Sequence, residues 1–230
     1  MNLDASRSNV TVSDALIRLD QRLPGGLCLL HAPIRDRVQG LPPVERQFIE
    51  RAVDRRRREF STGRWLAREG LKRLGIPPQA IPSGAMREPV WPSAMVGSLT
   101  HSGLVCAFVG GLAADFDSVG LDLELSPPPK TELARLIISP SEPPAYRESD
   151  TLRLAFSAKE AVYKCLYPVC RSMFDFQDID LRIDFPAGTF SAHPRNGMGA
   201  PEAAERGHGM FELWEGGVVT LFTLPLPDAR

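Results

Sequence analysis

The hydrophobic pattern of this chain changes period and then repeats the change, and that order constrains the fold more than any single motif. Residues 44–74 read as helical. Pro42-Pro43 opens the stretch, Phe48, Ala52, Phe60, Trp65, Ala67, Leu71 and Leu74 supply an apolar side, and Gly75-Ile-Pro-Pro ends it. Ser61-Thr62-Gly63 is expected to interrupt the segment, so it is not one straight rod. A proline-rich loop spans 76–96, and short strand candidates follow at 96–100, 105–110 and 118–123, after an earlier buried strand at 26–32. The pattern then recurs. Helices are predicted over about 131–138 and 151–166. From Ile179 on, IDLRIDF, GTFSAH, GMFELWE and GVVTLFTL alternate like antiparallel strands. Helices followed by meanders in both halves predict an α+β architecture.

At 230 residues the chain fits one or two domains and can bury a large core without disulfides. With 24% charged and 43% hydrophobic residues it is neither a disordered nor a collagen-like chain. A net charge of −1 argues against a surface built for nucleic acid. No apolar run is long enough to span a membrane, and the first twenty residues lack a signal-peptide pattern, so no membrane association and a cytoplasmic location are expected. Cys28, Cys106, Cys165 and Cys170 form no CxxC pair and read as reduced, structural thiols.

Two segments carry acidic chemistry. In Val119-Gly-Leu-Asp-Leu-Glu124, strand alternation points Asp122 and Glu124 one way and Leu121 and Leu123 into the core. Paired carboxylates repel unless a cation lies between them, and Mg²⁺ takes hard oxygen ligands. An exposed acidic strand face would look the same. In Phe156-Ser-Ala-Lys-Glu-Ala-Val-Tyr-Lys164, helical spacing puts Leu152, Ala155, Phe156, Tyr163 and Leu166 on the core stripe. Arg153, Ser157, Glu160 and Lys164 fall on an adjacent face. Glu160 and Lys164 alone would be read as a surface i, i+4 pair. Together the segments offer three carboxylates and an ammonium, a set suited to a Mg²⁺-bound diphosphate.

Two further segments are basic or polar. Gly97-Ser-Leu-Thr-His-Ser102 surrounds one of only four histidines with small and hydroxylated residues. From Glu45 to Arg73 ten Lys/Arg stand against five Asp/Glu, a local +5 in a chain of net −1. A solvated helix face accounts for this, and so does capture of a multiply charged phosphate ligand, because arginine forks match phosphate oxygens.

The ordered series F-S-T-G-R, R-E-P-V-W-P, G-S-L-T-H-S, V-G-L-D-L-E and F-S-A-K-E-A-V-Y-K resembles the 4′-phosphopantetheinyl transferases, of the surfactin-synthetase-associated and enterobactin-synthase component D types. The resemblance runs from about Arg56 to Lys164. It implies a pseudo-twofold α+β fold of two similar halves, each a small antiparallel sheet packed with helices, divided as 1–115 and 116–230. It implies transfer of 4′-phosphopantetheine from coenzyme A to a serine of an apo acyl or peptidyl carrier protein, releasing 3′,5′-ADP. Mg²⁺, or Mn²⁺ in its place, is the implied metal. Carried over by motif, Asp122, Glu124 and Glu160 resemble the metal carboxylates, although in some members only the outer two bind. Glu160 resembles the group that helps deprotonate the attacking serine, and Lys164 the lysine on the pyrophosphate. His101, with Ser98 or Thr100 in support, resembles a coenzyme A phosphate contact. Arg64, and Arg56 among Arg55 to Arg58, resemble the residues holding the 3′-phosphate, and Arg87 a further coenzyme A contact. The resemblance also implies carriers of siderophore, nonribosomal peptide or polyketide pathways and a monomeric enzyme. Pro140–Asp150 and Met173–Phe176 are candidates for the carrier-binding rim, with ordinary loop and core packing as the alternative, which Phe176 fits better. Without it, the same carboxylates would suit another Mg²⁺-dependent phosphoryl-transfer enzyme or nucleotide hydrolase, and the basic helix a non-enzymatic binding module.

Overall fold

A computed structural model describes residues 11–125, 127–195 and 202–227. Its elements in chain order are α1 (Val12–Gln21), β1 (Leu27–Pro33), α2 (Pro43–Arg46), α3 (Asp54–Arg73), β2 (Met95–Ser102), β3 (Val105–Leu112), β4 (Phe116–Glu124), α4 (Ala134–Ile137), α5 (Ser149–Cys170), β5 (Ile179–Asp184), β6 (Thr189–Pro194), β7 (His208–Trp214) and β8 (Gly217–Pro225). They build two antiparallel sheets, ordered β1-β3-β2 and β4-β8-β7-β6-β5. Helix α3 packs on the first sheet and α5 on the second, giving the expected α+β layout with sheets of unequal size. No helix among the described residues is long and apolar enough to cross a membrane.

The helices differ from the sequence reading in two places. The 44–74 stretch does break, but at 47–53, between α2 and α3; α3 runs unbroken through Ser61-Thr62-Gly63. Those residues are a docking face rather than a helix breaker. Thr62 Oγ1 accepts from Arg35 N (3.0 Å) and donates to Arg35 O (2.9 Å), while Ser61 Oγ accepts from Arg37 N (3.1 Å). Leu99 and Cys106 pack against Gly63. Helix α1 is the second difference. Thr11 and Asp14 form a reciprocal capping box at its start, and its buried Ala15, Leu16 and Leu19 close a core shared by both sheets.

That shared core fixes which way β4 faces. Val119, Leu121 and Leu123 point into it at 0% exposure. Gly120, Asp122 and Glu124 must then face α5. At Gly120 the contact is backbone to backbone, since a Cβ there would lie 1.9 Å from Ala161 O and 2.6 Å from Cys165 N.

The two sheets meet edge to edge without a backbone ladder. Ser98, Thr100 and Ser102, on alternate positions of β2, accept hydrogen bonds from the N–H groups of Leu121, Leu123 and Leu125 at 3.0, 3.2 and 2.9 Å. Three hydroxyls thus satisfy the free edge of β4, which would otherwise be left with buried donors.

Candidate active site

The joint between the sheets sets the site. Asp122 is 3% exposed, with Oδ1 2.5 Å from Lys164 Nζ and Oδ2 accepting from Ser157 Oγ at 2.8 Å. Lys164 also donates to Leu121 O at 3.3 Å. Glu124 and Glu160 are half-buried beside this pair. Burial pushes the Glu124 carboxyl up to about 7, and the negative charges of Asp122 and Glu160 add to the rise; Lys164 opposes it. Glu160 is also raised, chiefly by burial. Arg153 and Ser157, read from spacing as part of a polar face, are both buried, Ser157 against Asp122 of β4 and Thr220 of β8 and Arg153 paired with Asp150. Lys164 directs its ammonium to Asp122, not outward as in a surface i, i+4 pair.

Among the described residues no three His, Cys, Asp or Glu side chains converge tightly enough to form a metal cage. The donor chemistry nevertheless fits Mg²⁺. All three candidate ligands offer carboxylate oxygens, and one ammonium faces three acids. Burial is the main cause of the Glu124 rise, and the repulsion that adds to it is what a hard divalent cation relieves.

His101 lies on the opposite face of β2 from the three hydroxyls, toward α3. Its Nε2 is 3.4 Å from Arg56 Nη1 and 3.6 Å from Glu59 Oε2, and Glu59 itself receives Arg55 Nε at 2.8 Å. Burial holds the His101 ring below the usual imidazole range, with Glu59 opposing and Arg56, Lys164 and Arg55 reinforcing. His101 contacts Arg56 on one face of β2, and its neighbour Thr100 reaches Leu123 N and Asp122 Oδ1 from the other, so this strand runs between the arginine cluster and the carboxylates.

Arg56 and Arg87 line a cavity of about 550 Å³ beside this cluster, together with Arg51, Phe48, Phe60 and Ser83. Arg87 sits at the tip of a loop closed by Gly84 N to Glu88 O (2.8 Å) and Val90 N to Pro82 O (2.9 Å), with φ 66°. Arg51 was missed as an individual site residue because it lies in the irregular turn between α2 and α3, where no helical spacing assigns it a direction.

Three of the expected site residues lie beneath the cavity surface rather than on it. Arg64 does not line the cavity. It is 3% exposed, stacks on Phe60 at 4.5 Å and donates to Ser83 Oγ at 3.0 Å, which puts it behind two lining residues. Burial lowers its guanidinium to about 10. Ser98 and Thr100 are each 5% exposed, and their hydroxyls are committed to β4 instead of the cleft. The motif was legible, but its function in the fold depends on which strand lies alongside.

A second, smaller cavity of about 220 Å³ opens beside Glu160, lined by Tyr163, Met173, Phe174, Asp175, Phe176 and Ile179. Met173 is exposed, whereas Phe174 packs on Tyr163 (5.2 Å) and Phe176 on Phe156 (5.5 Å). The neighbouring Lys159, 2% exposed, is structural. Its ammonium donates to Glu142 Oε2 (2.6 Å), Ile137 O (2.8 Å) and Phe176 O (2.9 Å). The thiols agree with the structural reading at Cys106 and Cys165, both buried and pushed up to about 12 by burial, while Cys28 and Cys170 are only half-buried.

Comparison with known proteins converges on the same segments. The family model for the 4′-phosphopantetheinyl transferase N-terminal domain matches residues 44–110, and that for the 4′-phosphopantetheinyl transferase superfamily matches residues 118–207. The chain is 39% identical over 164 residues to the 4′-phosphopantetheinyl transferase Svp of Streptomyces mobaraensis, covering 68% of this chain and 67% of that protein. It is 36% identical over 167 residues to the 4′-phosphopantetheinyl transferase PptT of Mycobacterium tuberculosis, covering 68% and 72%. Enterobactin synthase component D of Salmonella typhi is 36% identical over 124 residues, half of each chain. The chain belongs to the 4′-phosphopantetheinyl transferase family and is an enzyme of that class.

Proposed function

We propose that this protein is a Mg²⁺-dependent enzyme that transfers 4′-phosphopantetheine from coenzyme A to a serine of an apo acyl or peptidyl carrier protein and releases 3′,5′-ADP. The observation that carries the reading is the pairing of two unlike sites across His101. One is a carboxylate–lysine group on β4 and α5, and the other is an arginine-lined cavity at the start of α3. Coenzyme A carries a diphosphate and a separate 3′-phosphate, so it needs both. In this reading residues 1–115 supply the phosphate contacts and 116–230 the carboxylates. One chain holds both walls, which suits a cytoplasmic monomer. Siderophore, nonribosomal peptide or polyketide carriers are the proposed substrates, in line with the half-length similarity to enterobactin synthase component D.

Arg56, Arg87, Arg51 and His101 would hold the 3′-phosphate end, with Arg64 bracing Phe60 and Ser83 from behind. Asp122, Glu124 and Glu160 would hold the metal. When bound, Mg²⁺ would orient the diphosphate and spread its developing charge. Lys164, already poised on Asp122, supplies an ammonium for a diphosphate oxygen and steadies the leaving 3′,5′-ADP. Glu160 has a raised carboxyl beside an apolar cavity, so it can accept the serine proton as the serine oxygen bonds to phosphorus and the phosphorus–oxygen bond to 3′,5′-ADP breaks. Neutral serine is a poor nucleophile, which leaves in-line positioning as the protein's main task. The test is to incubate the protein with coenzyme A, Mg²⁺ and apo carriers from several pathways and weigh the carriers. A mass gain of one phosphopantetheine is expected. Tight coenzyme A binding with no gain on any carrier would overturn the reading.

A further inference from the structure

Asp122 is held by more than Lys164. Ser157 on α5 donates its hydroxyl to Asp122 Oδ2 at 2.8 Å. Thr220 on β8 stands directly opposite Asp122 in the β4–β8 register, with its own hydroxyl 2.9 Å from Ser157 Oγ and donating to Ser157 O at 2.9 Å. Ser157 and Thr220 are 0% exposed. Their neighbours Ala155, Ala158, Val218, Val219 and Leu221 are apolar and equally buried, so alanine and valine would pack at the two positions.

Each hydroxyl has one proton. Asp122 Oδ2 takes that of Ser157, and the single Thr220 proton is divided between Ser157 O and Ser157 Oγ. Ser157 is therefore the only one of the two hydroxyls that donates to Asp122, and the Thr220 hydroxyl reaches Ser157 alone. Thr100 adds a longer contact of 3.4 Å on Oδ1. Oδ2 is committed to the protein interior, and Oδ1 is the oxygen that meets Lys164.

We propose that Ser157 is a positioning residue that fixes the rotation of the Asp122 carboxylate, turning Oδ1 toward the diphosphate site, and that Thr220 acts only through Ser157. The proposal rests on the functional reading above, in which Asp122 holds the metal. Removing the Ser157 hydroxyl takes a donor from Asp122 yet leaves Thr220 bonded to the Ser157 backbone carbonyl, so the fold should survive.

Three variants test it: Ser157→Ala, Thr220→Val and the double replacement. Ser157→Ala should lower kcat about 10–100-fold, the usual effect of removing an outer support of a metal ligand, with KM for coenzyme A nearly unchanged. Thr220→Val, close to isosteric, should lower kcat less, and the double variant should be no worse than Ser157→Ala. A second readout does not use turnover. With coenzyme A present, the Mg²⁺ concentration that raises the thermal midpoint should increase about tenfold in Ser157→Ala, while the Mg²⁺-free midpoint stays near wild type. A wild-type rate and Mg²⁺ response in Ser157→Ala would overturn the proposal, as would losses from the two single changes that multiply in the double. Wild-type protein inactive on every carrier would instead overturn the functional reading, and the Mg²⁺ response would still decide the role of Ser157.

Discussion

Replacing Gly120 with alanine should disable both the fold and the site, for one geometric reason. A Cβ at this position would lie 1.9 Å from Ala161 O, 2.6 Å from Cys165 N and 2.9 Å from Cys165 Cβ. The first two are backbone atoms in the middle of α5, which no rotamer change can move. Bringing the closest contact to 3.4 Å requires β4 and α5 to part by about 1.5 Å. Overpacking a core usually costs about 1–3 kcal/mol, and this case should sit at or above the top of that range. For a chain of this size, about 3 kcal/mol lowers the thermal midpoint by roughly 6–12 °C. The same separation would carry Ser157 and Lys164 away from Asp122, now 2.8 and 2.5 Å distant, breaking both contacts. A misplacement of about 1 Å at a reacting centre can cost 10²-fold in rate. Urea unfolding and mass-spectrometric transfer assays should therefore fall together. A Gly120→Ala protein within about 0.5 kcal/mol of wild type and near full activity would refute the backbone-contact argument.

Asp122→Ala and Glu160→Gln should each abolish measurable carrier modification in Mg²⁺ while the circular dichroism spectrum is kept; full rate in either would remove that residue from the proposed chemistry. His101, depressed by burial when no ligand is bound, should take up a proton beside a phosphate. Affinity for 3′,5′-ADP should thus strengthen as pH falls through the pKa of the complexed histidine and level off below the depressed free value. Calorimetry between about pH 6 and 8 checks this, and pH-independent binding equal in His101→Ala would count against the contact. Lys159→Ala should destabilise the fold by about 3–5 kcal/mol, because it strands the buried Glu142 carboxylate, whose oxygens accept from Ser139 N and Leu181 N as well. Lys159→Met with Glu142→Leu should recover part of that loss in urea melts, which a purely steric defect would not do.

Where a residue's direction follows from local periodicity, it was legible in the sequence. Alternation along β4 separates Leu121 and Leu123 from Asp122 and Glu124, and helical spacing gathers Ser157, Glu160 and Lys164 on one side of α5. What periodicity does not reveal is the neighbour. Arg64 shares a helix with exposed arginines, yet it turns under Phe60 because the 82–83 loop folds over it. Lys159 and Glu160 are adjacent in sequence; the ammonium of one is locked in a buried ion pair, while the carboxylate of the other sits half-buried beside Lys164. Helix α1 was recoverable from the Thr11–Asp14 capping pattern, but its ten residues are short and their apolar stripe is narrow. The break between α2 and α3 carries no glycine or proline to announce it.

The three hydroxyls of β2 act as a ruler between the halves. They engage every second N–H of β4, so a slip of one residue would bring Leu99 and His101 against the β4 edge and disconnect the whole joint at once. The offset between His101 and Asp122 is therefore quantised in steps of two residues, about 6.6–6.8 Å of strand. A ligand spanning the two sites meets a distance that point changes elsewhere in the chain cannot adjust gradually. Chemical variety at either end of this cleft can change freely, while its length is held by serine, threonine and serine in a fixed row.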